Sequence, residues 1–224
     1  MKKSFIEKIY FWFYGLSTSL EEKGERSSGY FAGKIRKAAL SLCRGVPGRI
    51  LEIGCAEGLF LFQLAKDNPQ AEIWGIDINS AELAQAEKKA KEQGITNVRF
   101  LQNDAKKLTF PQGHFDAVIC INFLFAQDSI GAIKDVVMNM ERVCKKSGSL
   151  ILEFRSSLNP LFVLKYRFAQ YYDHSIKPLV LRTYHPRVIE AMIDELGLTV
   201  TKSISIGFPI RRFAPIVILE AKRK

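Results

Sequence analysis

From Arg49 to Phe154, short apolar runs alternate with longer stretches whose apolar positions recur every three to four residues. RILEIG (49–54), AEIWGID (71–77), NVRFLQND (97–104), FDAVICIN (115–122) and SLILEF (149–154) are short and rich in Ile, Val, Leu and Phe. That is the pattern of strands buried in a sheet. Between them, LFLFQLAKDN (59–68), SAELAQAEKKAKEQG (80–94) and IGAIKDVVMNMERVCKKSG (130–148) carry the helical period. Ser80 is expected to cap the second helix and Gly94 to close it, and Gly148 to end the third. Such alternation predicts an α/β fold, a Rossmann-like, doubly wound, mostly parallel sheet with helices on both faces. In such a sheet the ligand sits at the carboxyl ends of the strands.

The flanks differ. Residues 3–16 and 30–45 read as helices separated by a polar break. Residues 155–185 are aromatic, basic and irregular. HPRVIEAMIDELG (185–197) is a helix with Pro186 in its first turn. LTVTKSISI (198–206) and APIVILEAK (214–222) read as a closing antiparallel pair. The expected organisation is therefore an N-terminal helical lid (1–45), a binding core (46–154), a substrate-lid insert (155–185), and a C-terminal helix with its strand pair (186–224).

Composition changes this picture little. At 224 residues with 47% hydrophobic and 25% charged side chains, the chain can bury a core without disulfide staples. Its four cysteines form no CxxC pair and its three histidines lie at no metal-ligand spacing from them, so no metal is expected. Cys55 and Cys120, set in apolar runs, read as buried residues of a reducing compartment, and the expected location is cytoplasmic. Glu7 and Lys8 interrupt the apolar N-terminus, which argues against a cleaved signal, and no run of about 20 apolar residues exists. Charge is more informative. Residues 155–224 hold 12 Lys and Arg against 5 Asp and Glu, so most of the net +10 belongs to the C-terminal third. A face of that kind meets anions: an acidic carrier, an anionic substrate, a membrane surface or nucleic acid.

The chemistry centres on the loop after the first strand. A dinucleotide fingerprint starting at Gly54 needs glycine at 56 and 59, where the chain has Ala56 and Leu59. A phosphate loop fails too, since no Gly-Lys-Ser/Thr follows. What remains is a loop that passes close to a ligand through Gly54 and Gly58. Glu52, inside an apolar strand, disfavours a phosphate and suits a cation. Asp77 ends the second strand and can take both hydroxyls of a ribose. Asn103-Asp104-Ala105 ends the third, where an acid can accept from an exocyclic amine. Each acid has a structural alternative, a local donor for Glu52 and helix caps for Asp77 and Asp104. Together they describe a site for a nucleoside with a cationic tail.

ILEIGCAEG, the acid of WGIDINSAEL, NDAKKL, FDAVICIN and CKKSGSLILEF resemble, in order, the motifs of class I S-adenosylmethionine-dependent methyltransferases. The likeness covers residues 46–154. It implies a seven-stranded sheet whose last strand is antiparallel, and S-adenosyl-L-methionine as cofactor. By position, Glu52, Gly54, Cys55, Ala56 and Gly58 would face the methionine moiety. Asp77 would hold the ribose, Ile78 would pack near the adenine, and Asn103, Asp104 and Ala105 would contact it. Asn122 would lie near the reacting methyl. Ala56 departs from the family, which usually has glycine there.

For the acceptor, FLFAQD after the fourth strand lacks the Pro-Pro pair of nucleic-acid amino-methylases, so nucleic acid is the weaker partner. The aromatic insert favours a small apolar or aromatic molecule, as in quinone-methylase-like and natural-product enzymes. An RNA or protein methyltransferase using the basic face, and a non-catalytic cofactor-binding module, are the alternatives. His185 and His174 are the candidate bases, with Tyr171, Tyr172 and Tyr184 near them.

Overall fold

The computed structural model describes residues 30–172, 181–207 and 210–224. His174 and the helix expected over 3–16 lie outside these residues, as do the side chains of Tyr171 and Tyr172. The elements are α1 (Tyr30–Cys43), β1 (Arg49–Ile53), α2 (Leu59–Asp67), β2 (Glu72–Asp77), α3 (Ser80–Glu92), β3 (Val98–Gln102), β4 (Phe115–Cys120), α4 (Ile130–Val143), β5 (Cys144–Arg155), α5 (Pro160–Tyr172), α6 (Pro186–Glu195), β6 (Leu198–Ile206) and β7 (Ile216–Arg223). Short 3-10 turns at Leu124–Ala126 and Arg211–Phe213 interrupt the loops.

The seven strands form one sheet in the order β3-β2-β1-β4-β5-β7-β6. The β1 to β5 ladders are all parallel, and β7 alone runs against its neighbours β5 and β6. Strand order reverses between β1 and β4, so a crevice opens at the carboxyl end of β1.

Period-two alternation sorts the strand side chains between the two faces. Ile50, Ile73, Ala117, Ile119 and Ile151 pack with Ile35 and Ala39 of α1 and Leu61 and Leu64 of α2. Leu51, Val118, Cys120, Leu150 and Leu152 pack with Ile133, Val137 and Met140 of α4 and Ile189 and Ile193 of α6. Glu52 is two residues from Ile50, so it shares the α1 face. Glu153 and Arg155 follow Ile151 onto that face.

Three boundaries differ from expectation. Asn79, not Ser80, caps α3: its backbone is extended and its Oδ1 accepts from the Ala81 N–H at 3.0 Å. Helix α4 stops at Val143, and β5 starts at once at Cys144, pairing with Phe115 across a bulge. Gly148 therefore lies inside the strand. A Cβ there would come within 2.6 Å of the Asp116 carbonyl oxygen, so the glycine permits close strand contact instead of ending a helix. Cys55 lies past β1, in the loop, though still buried, and all four cysteines are free and buried.

Candidate functional site

The crevice has two lobes that share Gly54. The larger is about 270 Å³ and is lined by Ile53, Gly54, Asp77, Ile78, Asn103, Asp104, Ala105 and Phe123, among others. Asp77 stands at its centre because β2 ends there. Its Oδ2 accepts from the Ala56 N–H at 3.0 Å and its Oδ1 from the Asn79 N–H at 2.9 Å. The carboxylate thus ties the loop after β1 to the start of α3 while lining the lobe, and each oxygen keeps a further acceptor site. Asp104 Oδ1 accepts from the Lys106 N–H at 2.9 Å, an Asx turn that turns the chain at the tip of β3. Ile78 is 70% exposed at the mouth, an apolar surface available to a flat ring.

The smaller lobe, about 90 Å³, is lined by Arg36, Glu52, Gly54, Cys55, Ala56, Leu59, Phe60, Ile121 and Asn122. Arg36 of α1 and Glu52 of β1 are both buried, so the lobe holds one basic and one acidic side chain. Burial pushes the Glu52 carboxyl up to about 8, with Arg36 pulling it down and Asp77 pushing it further up. Glu52 Oε2 is buried and accepts no hydrogen bond among the described residues. The loop that closes this lobe is backbone-determined. Gly54 and Gly58 have φ of 74° and 86°, and Cβ atoms there would strike the rings of Phe123 and Phe62. Ala56 also has a positive φ, 44°. For alanine that backbone costs about 1 kcal/mol or more, and the Asp77 bond to its N–H helps to hold it.

A third group lies at the ends of β4 and β5. Glu153 and Arg155 are buried, with Arg155 Nη1 2.7 Å from Glu153 Oε1. The contact is one of charge and lacks hydrogen-bond alignment. Glu153 Oε2 accepts from the Asn122 N–H at 2.8 Å, and Arg155 Nη2 donates to Asn122 Oδ1 at 2.9 Å. Asn122 is held at φ 53° between them. The guanidinium also donates through Nε to Tyr166 Oη at 2.9 Å and lies over the Phe125 ring, 4.9 Å from its centroid. Burial raises the Glu153 carboxyl and Arg155 opposes that rise; burial likewise raises the Tyr166 phenol, which stays protonated at neutral pH.

Residues 47–176 match the family model described as a methyltransferase domain. The chain belongs to the class I S-adenosylmethionine-dependent methyltransferases. A phosphatidylethanolamine N-methyltransferase of Cereibacter sphaeroides is 33% identical over 139 residues, covering 61% of this chain and 64% of that protein. A ubiquinone/menaquinone biosynthesis C-methyltransferase of Ectopseudomonas mendocina is 30% identical over 177 residues, covering 77% and 67%. The chain thus spans about two thirds of the length of these curated relatives, and half of others. In fold it resembles the Synechocystis magnesium protoporphyrin IX methyltransferase crystallised with bound SAH, at TM-score 0.66 and 21% identity, over 85% of this chain and 83% of that one.

Among the residues that the methyltransferase motifs singled out, the structure brings Gly54, Asp77, Ile78, Asn103, Asp104 and Ala105 into one lobe and Glu52, Gly54, Cys55, Ala56 and Asn122 into the other. Gly58 shapes the loop from behind, against Phe62. His185 is exposed and lines neither lobe. Its Nδ1 accepts from the Arg187 N–H at 3.2 Å and caps α6. In the neutral ring that bond uses the single nitrogen lone pair, so proton transfer at His185 requires the cap to open. Sequence reasoning missed Arg36, Glu153, Arg155 and Tyr166. Arg36 carried one signal: it sits beside Ile35 and Ala39 on the apolar stripe of α1, where a charge needs a buried partner.

Proposed function

We propose that the chain binds S-adenosyl-L-methionine across the two lobes and methylates a small apolar or aromatic molecule. The observation that carries this reading is the smaller lobe. Its buried Arg36 and Glu52 complement the carboxylate and ammonium of an amino acid, and the orphaned Glu52 Oε2 has a donor to gain. The larger lobe supplies Asp77 for the ribose hydroxyls, with Ile78 and Asp104 beside the adenine. Residues and cofactor therefore fit.

When bound, the cofactor supplies a sulfonium methyl group for in-line displacement. The chain's own contribution is placement and exclusion of water. Asn122, fixed by Glu153 and Arg155, borders the smaller lobe where a tail and an acceptor would meet. Phe125, Tyr166 and Phe162 cover that region with apolar surface, Phe162 and Tyr166 lying 5.3 Å apart. Residues 155–185 act in this reading as the substrate lid, together with the N-terminal helical segment 1–45, of which α1 is the described part. His185 and His174 remain the candidate proton acceptors for an acceptor that must lose a proton. The likeness to a phosphatidylethanolamine N-methyltransferase and to a ubiquinone/menaquinone biosynthesis C-methyltransferase supports an apolar acceptor. The basic C-terminal third supports contact with an anionic carrier or a membrane surface and a cytoplasmic, peripheral location. No helix among the described residues is long and apolar enough to cross a membrane.

Calorimetry with S-adenosylmethionine tests the core of this reading. Asp77→Ala removes the ribose contact and the anchor of Ala56, and is expected to weaken binding at least about tenfold. Unchanged affinity would remove the cofactor assignment. A labelled-methyl screen of phenols, quinones, lipids and RNA then identifies the acceptor, and transfer to RNA alone would replace the small-molecule reading.

A further inference from the structure

Five of the nine exposed large apolar side chains among the described residues fall in two short segments, α5 and residues 210–213, the 3-10 turn before β7 with the residue that precedes it. Scattered single exposures are normal for a surface; a concentration of this kind is not. Helix α5 turns Phe162 and Tyr166 inward, against Phe31 at 5.5 Å and Phe125 at 6.1 Å. That leaves Leu161 and Leu164, three residues apart, projecting at 72% and 55% exposure. The second segment contributes Ile210 and Phe213 at 58% and 40%, with Arg211 and Arg212 exposed between them.

The two segments are adjacent in space. Asn159 Nδ2, just before α5, donates to the Phe213 carbonyl at 2.8 Å, and the Ser156 N–H donates to the Pro215 carbonyl at 2.8 Å. Neither segment contains an acid: there is no Asp or Glu from 156 to 172 or from 207 to 219. The result is one patch with protruding aliphatic side chains, a ring and two arginines.

We propose that this patch docks on an anionic lipid surface. Leu161, Leu164, Ile210 and Phe213 enter the interfacial region, and Arg211 and Arg212 meet lipid phosphates. Charge complementarity selects this occupant. A second copy of the chain would set the same arginines against themselves. A nucleic acid offers anions but no apolar layer for two projecting leucines, whereas a bilayer interface offers both. Docking here would set α5, whose inner side borders Arg155, between the membrane and the site. An acceptor dissolved in the bilayer then has a short way in. That last step rests on the proposed function, whereas the docking itself does not.

The test is co-sedimentation of the full chain with phosphatidylcholine vesicles, with and without phosphatidylglycerol. Binding is expected only when the anionic lipid is present. Arg211→Ala with Arg212→Ala is expected to weaken it about thirtyfold at low salt. Leu161→Ser with Leu164→Ser is expected to weaken it by about tenfold or more. Both double variants keep the wild-type melting temperature and S-adenosylmethionine affinity, which separates a lost surface from a lost fold. Equal binding to neutral vesicles, no binding at all, or binding untouched in both variants overturns the proposal. So does a dimer seen by sedimentation velocity that the leucine variant dissolves without any vesicle binding, or capture of an acidic protein in place of lipid. Wild-type chain that binds vesicles but not S-adenosylmethionine would sink the cofactor reading and leave this one standing.

Discussion

Replacing Glu52 by glutamine separates what this carboxylate costs the empty fold from what it gives a ligand. A carboxyl moved from its ordinary 4.5 to about 8 costs up to about 5 kcal/mol to ionise in the fold. Because the folded value is raised, the contribution to stability is fully present below pH 4.5 and is lost as pH rises towards 8. Wild type and Glu52→Gln are therefore expected to melt together near pH 4.5. By pH 8 the variant is the more stable, by several degrees for a chain of this size. Binding runs the other way. A ligand ammonium beside Glu52 favours the carboxylate, so at pH 7 the wild type is expected to release protons when S-adenosylmethionine binds, up to one per site. The release appears as a dependence of calorimetric enthalpy on the ionisation enthalpy of the buffer. Glu52→Gln abolishes it and weakens binding by about 1.5–3 kcal/mol, roughly 10–150-fold. A variant that binds as tightly as wild type, with the same buffer-dependent enthalpy, would refute the assignment of Glu52 to the ammonium.

Glu153→Gln leaves Arg155 buried without its counter-charge and is expected to cost about 3–5 kcal/mol by chemical denaturation. Adding Arg155→Met should restore much of that stability but not kcat, because Asn122 has lost both its holders; full recovery of kcat would make the pair merely structural. His185→Asn keeps a side chain able to cap α6 while removing the titratable ring. If His185 is the base, kcat falls about 10²–10⁴-fold and the pH profile loses a limb; turnover within a few-fold of wild type excludes it.

The fold was legible because short apolar runs and stretches of helical period alternate without conflict from Arg49 to Phe154. Boundaries were less legible where a close approach, not a cap, placed the glycine. Gly148 looks like a helix stop in sequence, and only the packing of β5 on β4 shows that it fits against the Asp116 carbonyl. The residues lining the two lobes were readable where they lie at strand tips, since a tip acid is exposed by topology alone. Arg36 was not, because its place in the smaller lobe depends on how α1 docks on the sheet face that carries Glu52, which local spacing does not encode. Glu153 and Arg155 stand two apart on one strand face, a pattern visible in the sequence but hidden inside a run dominated by Leu and Ile.

The acids also show why structural and functional roles are not rivals here. By sequence Asp77 suits either a ribose or a helix cap, and in the fold one oxygen takes the Ala56 N–H and the other the Asn79 N–H. A carboxylate oriented by two backbone donors has its rotamer fixed and its other lone pairs aimed, so the bonds that order the loop also prepare the site. The same reasoning applies to Ala56. Its positive φ would be costly in an isolated loop, and it persists because Asp77 holds its N–H while Gly54 and Gly58 on either side take the sharper turns. The loop therefore stores its strain next to the lobe that Glu52 lines. A cationic ligand that ionises Glu52 would also offset the repulsion that this charge meets from Asp77, coupling the two lobes through charge.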